Sequence, residues 1–214
     1  MAATQIALDK GKSSAREAVL EAAVRLFAQQ GFAKTSLKAI AQEVDIRTPS
    51  LLYHFPSKQV LETAAIESLN NSWKNILPQI LSEAKNPDER FDRTLEVCIA
   101  FFQEEPTRAK LFLRALLDKP DELKEIIKRD LQPWLKLISK YIQRGQEEEI
   151  IHQDLNPEAY TMSVVILVLS TFALGQVRSA FIDSSNAETL AKDELIRFAR
   201  TALFRPTKME NNHG

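Results

Sequence analysis

The chain has 214 residues, a formal net charge of −1, 44% hydrophobic and 27% charged side chains, five glycines and nine prolines. That length admits one large domain or a small one joined to a larger one, and composition does not choose between them. The lone Cys98 excludes an internal disulfide, long stretches without β-branched alternation exclude an extensive sheet, and the start has no signal-peptide pattern, so an all-α globule in a reducing cytoplasm is expected.

The first dozen residues are small and polar without periodicity, and are expected to form a mobile arm. Ser14 and Glu17 have the capping-box spacing, in which a hydroxyl and a carboxylate satisfy free backbone donors reciprocally, so a first helix of about 16 residues starts there. Its apolar face runs Val19, Leu20, Ala23, Leu26 and Phe27, with Gly31 as a left-handed stop and Phe32 folding back onto the helix. Thr35 or Ser36 caps a short second helix that ends near Glu43 and buries Leu37, Ile40 and Ala41. Val44, Asp45 and Ile46 make a turn, after which Thr48 caps a third helix from Pro49 to about His54. Pro56 ends it, and Ser57 caps a long fourth helix from Lys58.

Further helix starts recur at Asn86-Pro87, Glu105-Pro106, Lys119-Pro120, Asn156-Pro157 and Ser185, with Pro133 expected to kink or split its element. Phe91, Leu95, Cys98 and Phe102 form an apolar stripe at helical spacing. The most apolar run, Thr161 to Leu174, is shorter than the roughly 20 residues of a membrane span and contains Ser163, Ser170 and Thr171. It reads instead as a helix covered on most sides by the body or by a second subunit. A polar tail follows Pro206.

Two short helices across a tight turn, the second too short to stand alone, make a helix-turn-helix. Ile40, Ala41, Ile46 and Leu51 would lock it, and Phe55 is core. Arg47, Thr48, Ser50, Tyr53 and His54 are then left outward, all hydrogen-bond donors and none acidic, as a groove of phosphates and base-edge acceptors requires. Tyr53 alone could also be core. Lys58 and the backbone N–H groups after Ser57 offer a helix-start site for a phosphate. Residues 1–58 hold eight Lys/Arg against five acids, net +3, while the rest carries 20 against 24, net −4, consistent with a basic head on an acidic body.

The segments LFAQQGF with the following TS, LKAIA and YHFPSK resemble the N-terminal DNA-binding domain of the TetR family of bacterial transcriptional regulators, over about residues 14–74 with the helix-turn-helix at about 37–56. The resemblance implies a DNA-binding headpiece at 14–74 and a helical ligand-binding and dimerisation domain at 75–205. It places Ser36, Lys38, Arg47, Thr48, Ser50, Tyr53, His54 and Lys58 on DNA, with Lys38 and Lys58 on phosphates. Asp45 stands where the family usually has glycine, so the turn must accommodate an aspartate. Leu52 stands where the family usually has tyrosine, which leaves open whether Tyr53 takes over that phosphate contact.

One headpiece makes few phosphate contacts, so a homodimer is expected, with headpieces about 34–36 Å apart on a palindromic operator. Its interface would use the helix from Tyr160 to Gly175 and Leu190, Leu195, Phe198 and Leu203 of the last helix; packing inside one subunit is the alternative. Trp73, Phe102, Phe112, Trp134, Tyr141 and Met162 are either core or the lining of a pocket for an apolar effector, as a ligand-responsive family implies. The implied function is a ligand-controlled regulator, by default a repressor, with no cofactor and no membrane partner.

Two other readings stay open. Glu149 and His152 have the Glu-x-x-His spacing of di-iron bundles, but only one copy is present and the other histidines, His54 and His213, are remote in sequence. Paired catalytic carboxylates, a nucleophile elbow and a glycine-rich phosphate loop are missing from the sequence, so no enzymatic activity is expected. A helical adapter that keeps the fold without binding DNA is the remaining alternative.

Overall fold

A computed structural model describes residues 14–69 and 86–206, apart from the side chain of Gln176. The expected N-terminal arm, Trp73, the boundary at 74/75 and the polar tail after Pro206 lie outside the described residues. Among the described residues every regular element is helical, and β pairing is limited to one antiparallel bridge between Ile151 and Phe204.

Helix α1 spans Ala15–Gln30, and its capping box is formed: the Glu17 N–H donates to Ser14 Oγ at 3.3 Å and the Ser14 N–H donates to Glu17 Oε2 at 2.8 Å. It stops at Gly31, whose φ of 84° and ψ of 161° are extended rather than left-handed helical, in a region open essentially to glycine. A Cβ there would also stand 3.2 Å from the Arg114 guanidinium. Phe32 does fold back, its ring centroid 5.0 Å from that of Phe27. Helices α2 (Leu37–Glu43), α3 (Thr48–His54) and α4 (58–69 of the described residues) complete the headpiece.

The body comprises α5 (Pro87–Glu104), α6 (Pro106–Asp118), α7 (Pro120–Ile126), α8 (Gln132–Glu147), α9 (Pro157–Ala173) and α10 (Ala187–Leu203). Prolines open α5, α6, α7 and α9, where a missing N–H costs nothing. Asn86 and Asn156 cap α5 and α9 by accepting from Glu89 and Ala159 N–H at 2.8 and 2.9 Å. The last helix begins one residue later than expected, with Asn186 rather than Ser185 at its N-cap. Pro133 splits its element without a gap. The chain widens into a π turn over Ile127–Leu131 just before α8, and this looser winding spares the carbonyl that the proline ring would strike.

Headpiece and body share one core. Val19, Ala22, Ala23 and Phe27 of α1 pack in the same buried cluster as Leu111 and Ala115 of α6 and Leu123 and Ile126 of α7. The small side chains let α1 and α6 approach closely, and each large one buried contributes about 1.5–3 kcal/mol. A second cluster joins α5, α6, α9 and α10 through Leu95, Ile99, Phe102, Ala109, Leu169, Phe172 and Leu195. Gly145 is the glycine that α8 needs against the segment after it, since a Cβ there would lie 2.5 Å from Ile151 Cδ1.

Helix α9 buries Val168, Leu169 and Phe172 within the subunit, but Met162, Val165, Ile166 and Leu174 are exposed. The body therefore covers one side of this apolar helix rather than most of it.

Candidate nucleic-acid interface and body cavity

The turn between α2 and α3 is built by the backbone. Asp45 N–H donates to Gln42 O at 3.2 Å and Ile46 N–H to Ala41 O at 3.0 Å, the paired closure that ends a helix through one left-handed residue. Asp45 is that residue, with φ of 53°, a conformation that aspartate tolerates better than most side chains. Ile46 then folds inward, partly buried against the headpiece core, as the apolar residue after such a stop commonly does. Ser36, not Thr35, caps α2, accepting from Ala39 N–H at 3.1 Å. Thr35 is buried and donates to the carbonyls of Leu26 and Gly31. Helix α3 starts at Thr48, one residue before the expected position, and Arg47 rather than Thr48 occupies the N-cap without a side-chain cap bond. Pro49 fits the second position of the helix because first-turn N–H groups have no intrahelical acceptor.

Two turns of helix cannot hold themselves, and α3 is held by Leu51 and Phe55, both fully buried in the headpiece core. That seating fixes its other side outward. Arg47 and Ser50 are exposed, Thr48 and His54 are half-buried, and Tyr53 is 85% exposed, which overturns a core position for it. The Tyr53 and His54 rings meet edge to face at 5.3 Å. Leu52 is partly exposed beside them. Lys38 and Ser36 are exposed on α2. Lys58 is placed differently: its ammonium donates to Ala33 O at 3.3 Å and lies 3.7 Å from Glu62 Oε1, turned toward the α1–α2 connection. Of the N–H groups expected to meet a phosphate there, that of Val60 donates to Ser57 Oγ at 3.2 Å. The structure thus brings Arg47, Thr48, Ser50, Tyr53 and His54 together on α3, with Ser36 and Lys38 on the neighbouring helix.

Between α5, α8, α9 and the end of α10 the body forms a half-open cavity of about 140 Å³, with walls that include Arg90, Phe91, Cys98, Tyr141, Val164 and Phe204. Of the aromatic and methionine residues considered for a pocket, Tyr141 lines it. Phe102 is instead buried in the core edge to face with Phe101, and Phe112 is partly buried between the two cores. Trp134 is half-buried on α8 away from the cavity, and Met162 lies on the exposed side of α9 at 64%. Helical spacing explains the difference on α9: Thr161, Val164 and Val165 reach the cavity, and Met162 lies one position out of that series. On α5 the cavity takes Phe91, Leu95 and Cys98 from the apolar stripe, whose fourth member, Phe102, belongs to the core instead. Burial pushes the Cys98 thiol up to about 12 and the Tyr160 phenol above its ordinary value, so both are neutral. The Tyr160 hydroxyl donates to Ala199 O at 2.8 Å.

Glu149 and His152 do not share a helix. Glu149, with φ of 57°, is the left-handed residue ending α8, and Ile150 N–H closes back to Gly145 O at 2.9 Å. Their spacing therefore aims no pair of side chains along one face. Among the described residues no group of three or more His, Cys, Asp or Glu could hold a metal ion, and no helix is long and apolar enough to cross a membrane.

Residues 19–65 match the family model of bacterial regulatory proteins, tetR family. The chain is 27% identical over 118 residues to the nucleoid occlusion factor SlmA of Vibrio vulnificus, a match that spans 54% of this chain and 60% of that protein's length. It is 22% identical over 181 residues to IcaR of Staphylococcus aureus, the HTH-type negative transcriptional regulator of the icaADBC biofilm operon, spanning 84% of this chain and 94% of IcaR. Among solved structures, the fold is that of the ketosteroid transcriptional regulator KstR2 of Mycobacterium tuberculosis, with a TM-score of 0.72 at 18% identity, covering 92% of this chain and 98% of that one.

Proposed function

We propose that this member of the TetR family of bacterial regulatory proteins binds a palindromic DNA operator as a homodimer, represses transcription there, and is released when a small molecule enters the body cavity. The observation that carries the reading is the outward face of α3, where Ser50, Tyr53 and His54 are donors beside Pro49 and Leu52 and no side chain is acidic, on a two-turn helix that Leu51 and Phe55 hold in the headpiece core. Arg47, Ser50, Tyr53 and His54 meet base edges or flanking phosphates, and Ser36 and Lys38 meet the backbone. Lys58 joins them by exchanging its contacts with Ala33 and Glu62 for a phosphate. Repression is favoured by the similarity to IcaR, named a negative regulator.

Dimerisation is supported by what the subunit leaves uncovered. Met162, Val165 and Ile166 of α9 and Leu190 and Phe198 of α10 are exposed, whereas Leu195 and Leu203 are buried in their own subunit and are unavailable to a partner. Pairing these helices with those of a second copy covers an apolar surface of the kind that stable interfaces use.

The effector reaches the headpiece through packing. Helix α6 contributes to both cores, and α4 is tied to the body by Lys119–Glu62 and Arg129–Glu67 ion pairs at 3.0 and 2.8 Å. A ligand that favours one arrangement of α5, α8 and α9 shifts the spacing of the two headpieces by differential binding alone.

The test is selection of bound fragments from random DNA, followed by binding of the enriched duplex across a range of salt. A palindrome with half-sites one helical turn apart, and an affinity that falls steeply with salt, is expected. No duplex binding at low salt would instead favour an adapter that has kept the fold alone.

A further inference from the structure

We infer that Glu62 is a positioning residue for the phosphate contact of Lys58. Its one buried carboxylate is shared with Lys119 of the body, and the share that Lys119 takes sets how readily Lys58 leaves for DNA. The inference rests on the DNA-binding reading above and adds to it a route from the body to that contact.

Lys58 and Glu62 stand one turn apart on α4, so their side chains lie on one face of the helix. The two carboxylate oxygens face different lysines. Oε2 is 3.0 Å from the Lys119 ammonium, within hydrogen-bond distance, whereas Oε1 is 3.7 Å from that of Lys58, beyond it. The other contact of Lys58 is a neutral carbonyl, Ala33 O at 3.3 Å. Lys58 keeps 32% of its side chain exposed and Glu62 only 8%, so the lysine can turn to solvent and the carboxylate cannot follow.

Burial makes the sharing matter. A buried carboxylate left without a counter-charge is strongly opposed, so Lys58 could not leave Glu62 if it were the sole cation there. Lys119 supplies the second charge from the corner between α6 and α7. That corner is part of the body: α6 enters both buried clusters, and Lys119 is also drawn to Glu122 Oε1 at 3.6 Å. Seated against α4, Lys119 neutralises Glu62 and releases Lys58 to a phosphate. Shifted away, it leaves Glu62 to hold Lys58 back, and the headpiece loses one phosphate contact.

The test measures affinity of the full-length protein for the duplex enriched from random DNA, across a range of salt, in variants at these three positions. Lys58→Met should lower the salt slope by about 0.9 for each subunit. Lys119→Met should weaken binding about tenfold and lower the slope toward that of Lys58→Met, although Lys119 itself meets no DNA. Adding Glu62→Gln to Lys119→Met should restore both. Glu62→Gln alone should bind at least about twofold tighter than the wild type. In a Lys58→Met background the effects of Lys119→Met and Glu62→Gln should each fall to within about twofold, which general charge or stability changes would not produce. If Lys119→Met fails to fold, Glu62→Gln with and without Lys58 decides the matter. Effects of equal size with and without Lys58, or a wild-type slope in Lys58→Met, overturn the inference while leaving DNA binding intact. No duplex binding by the wild-type protein overturns the DNA-binding reading and this inference with it.

Discussion

The ammonium of Lys119, at the corner between α6 and α7, stands 3.0 Å from Oε2 of Glu62, a buried carboxylate on α4 whose other oxygen lies 3.7 Å from Lys58. One carboxylate thus joins the body to a lysine at the edge of the candidate DNA interface. The bond to Glu62, foremost among its surroundings, holds the Lys119 ammonium above its ordinary value. Its contribution to stability is therefore present below the unfolded lysine value and is lost as pH rises through the folded one. Lys119→Met leaves Glu62 buried beside Lys58 alone, and should lower stability by about 2 kcal/mol, read as a shifted urea midpoint with unchanged slope. Adding Glu62→Leu should restore much of that loss. An unchanged midpoint in Lys119→Met would mean the pair does not hold headpiece and body together.

Asp45 holds a left-handed conformation that glycine adopts without strain. Asp45→Gly should therefore raise stability by about 0.5 kcal/mol, and Asp45→Val should lower it by about 1–2 kcal/mol, because a β-branched side chain fits that region worst. Thermal midpoints of the two variants should lie on opposite sides of the wild type. Both on the same side would show that the turn relaxes out of this conformation.

Phe198 and Leu195 sit three residues apart on α10, yet Phe198 is 62% exposed and Leu195 is buried. Phe198→Asp combined with Met162→Glu should give a folded monomer by sedimentation, with operator affinity reduced at least about a hundredfold because one headpiece reads one half-site. Leu195→Asp should instead unfold the subunit. A double variant that stays dimeric would place the interface elsewhere.

Cys98 keeps its proton in the folded protein up to about 12, against 9.0 for an ordinary thiol. The unfolded chain loses that proton first, so stability is full below about pH 9 and falls by up to about 1.4 kcal/mol per pH unit from there toward 12. Cys98→Ala should remove this component of the slope when chemical denaturation is compared at pH 8 and pH 10.5. An identical slope in both proteins would show that the thiol does not contribute.

Much of the headpiece was legible because its signals are local. Ser14 and Glu17 close a box three residues apart, Gly31 ends α1, and Asp45 closes the turn through backbone bonds reaching only to Ala41 and Gln42. The error at Thr48 is of the same local kind: arginine and threonine are both compatible with a helix start before proline, and one residue of backbone angle separates them.

The cavity was not legible. Tyr141, Phe102, Phe112 and Trp134 have similar composition and helical spacing, and nothing near each in the chain distinguishes a wall of empty space from a filled core. The same holds for α9, where an almost uniformly apolar helix contains no local cue to its buried face.

Most helix starts to within a residue, the turn chemistry of Asp45 and the donors on α3 could be read along the chain, since these depend on residues a few positions apart. The shared core of headpiece and body, the turn of Lys58 toward Glu62 rather than outward, and the uncovered side chains of α9 and α10 emerge only in three dimensions. Each of those depends on segments tens of residues apart approaching within a few ångströms, and packing among them is decided by shape and volume that hydrophobicity along the chain does not encode.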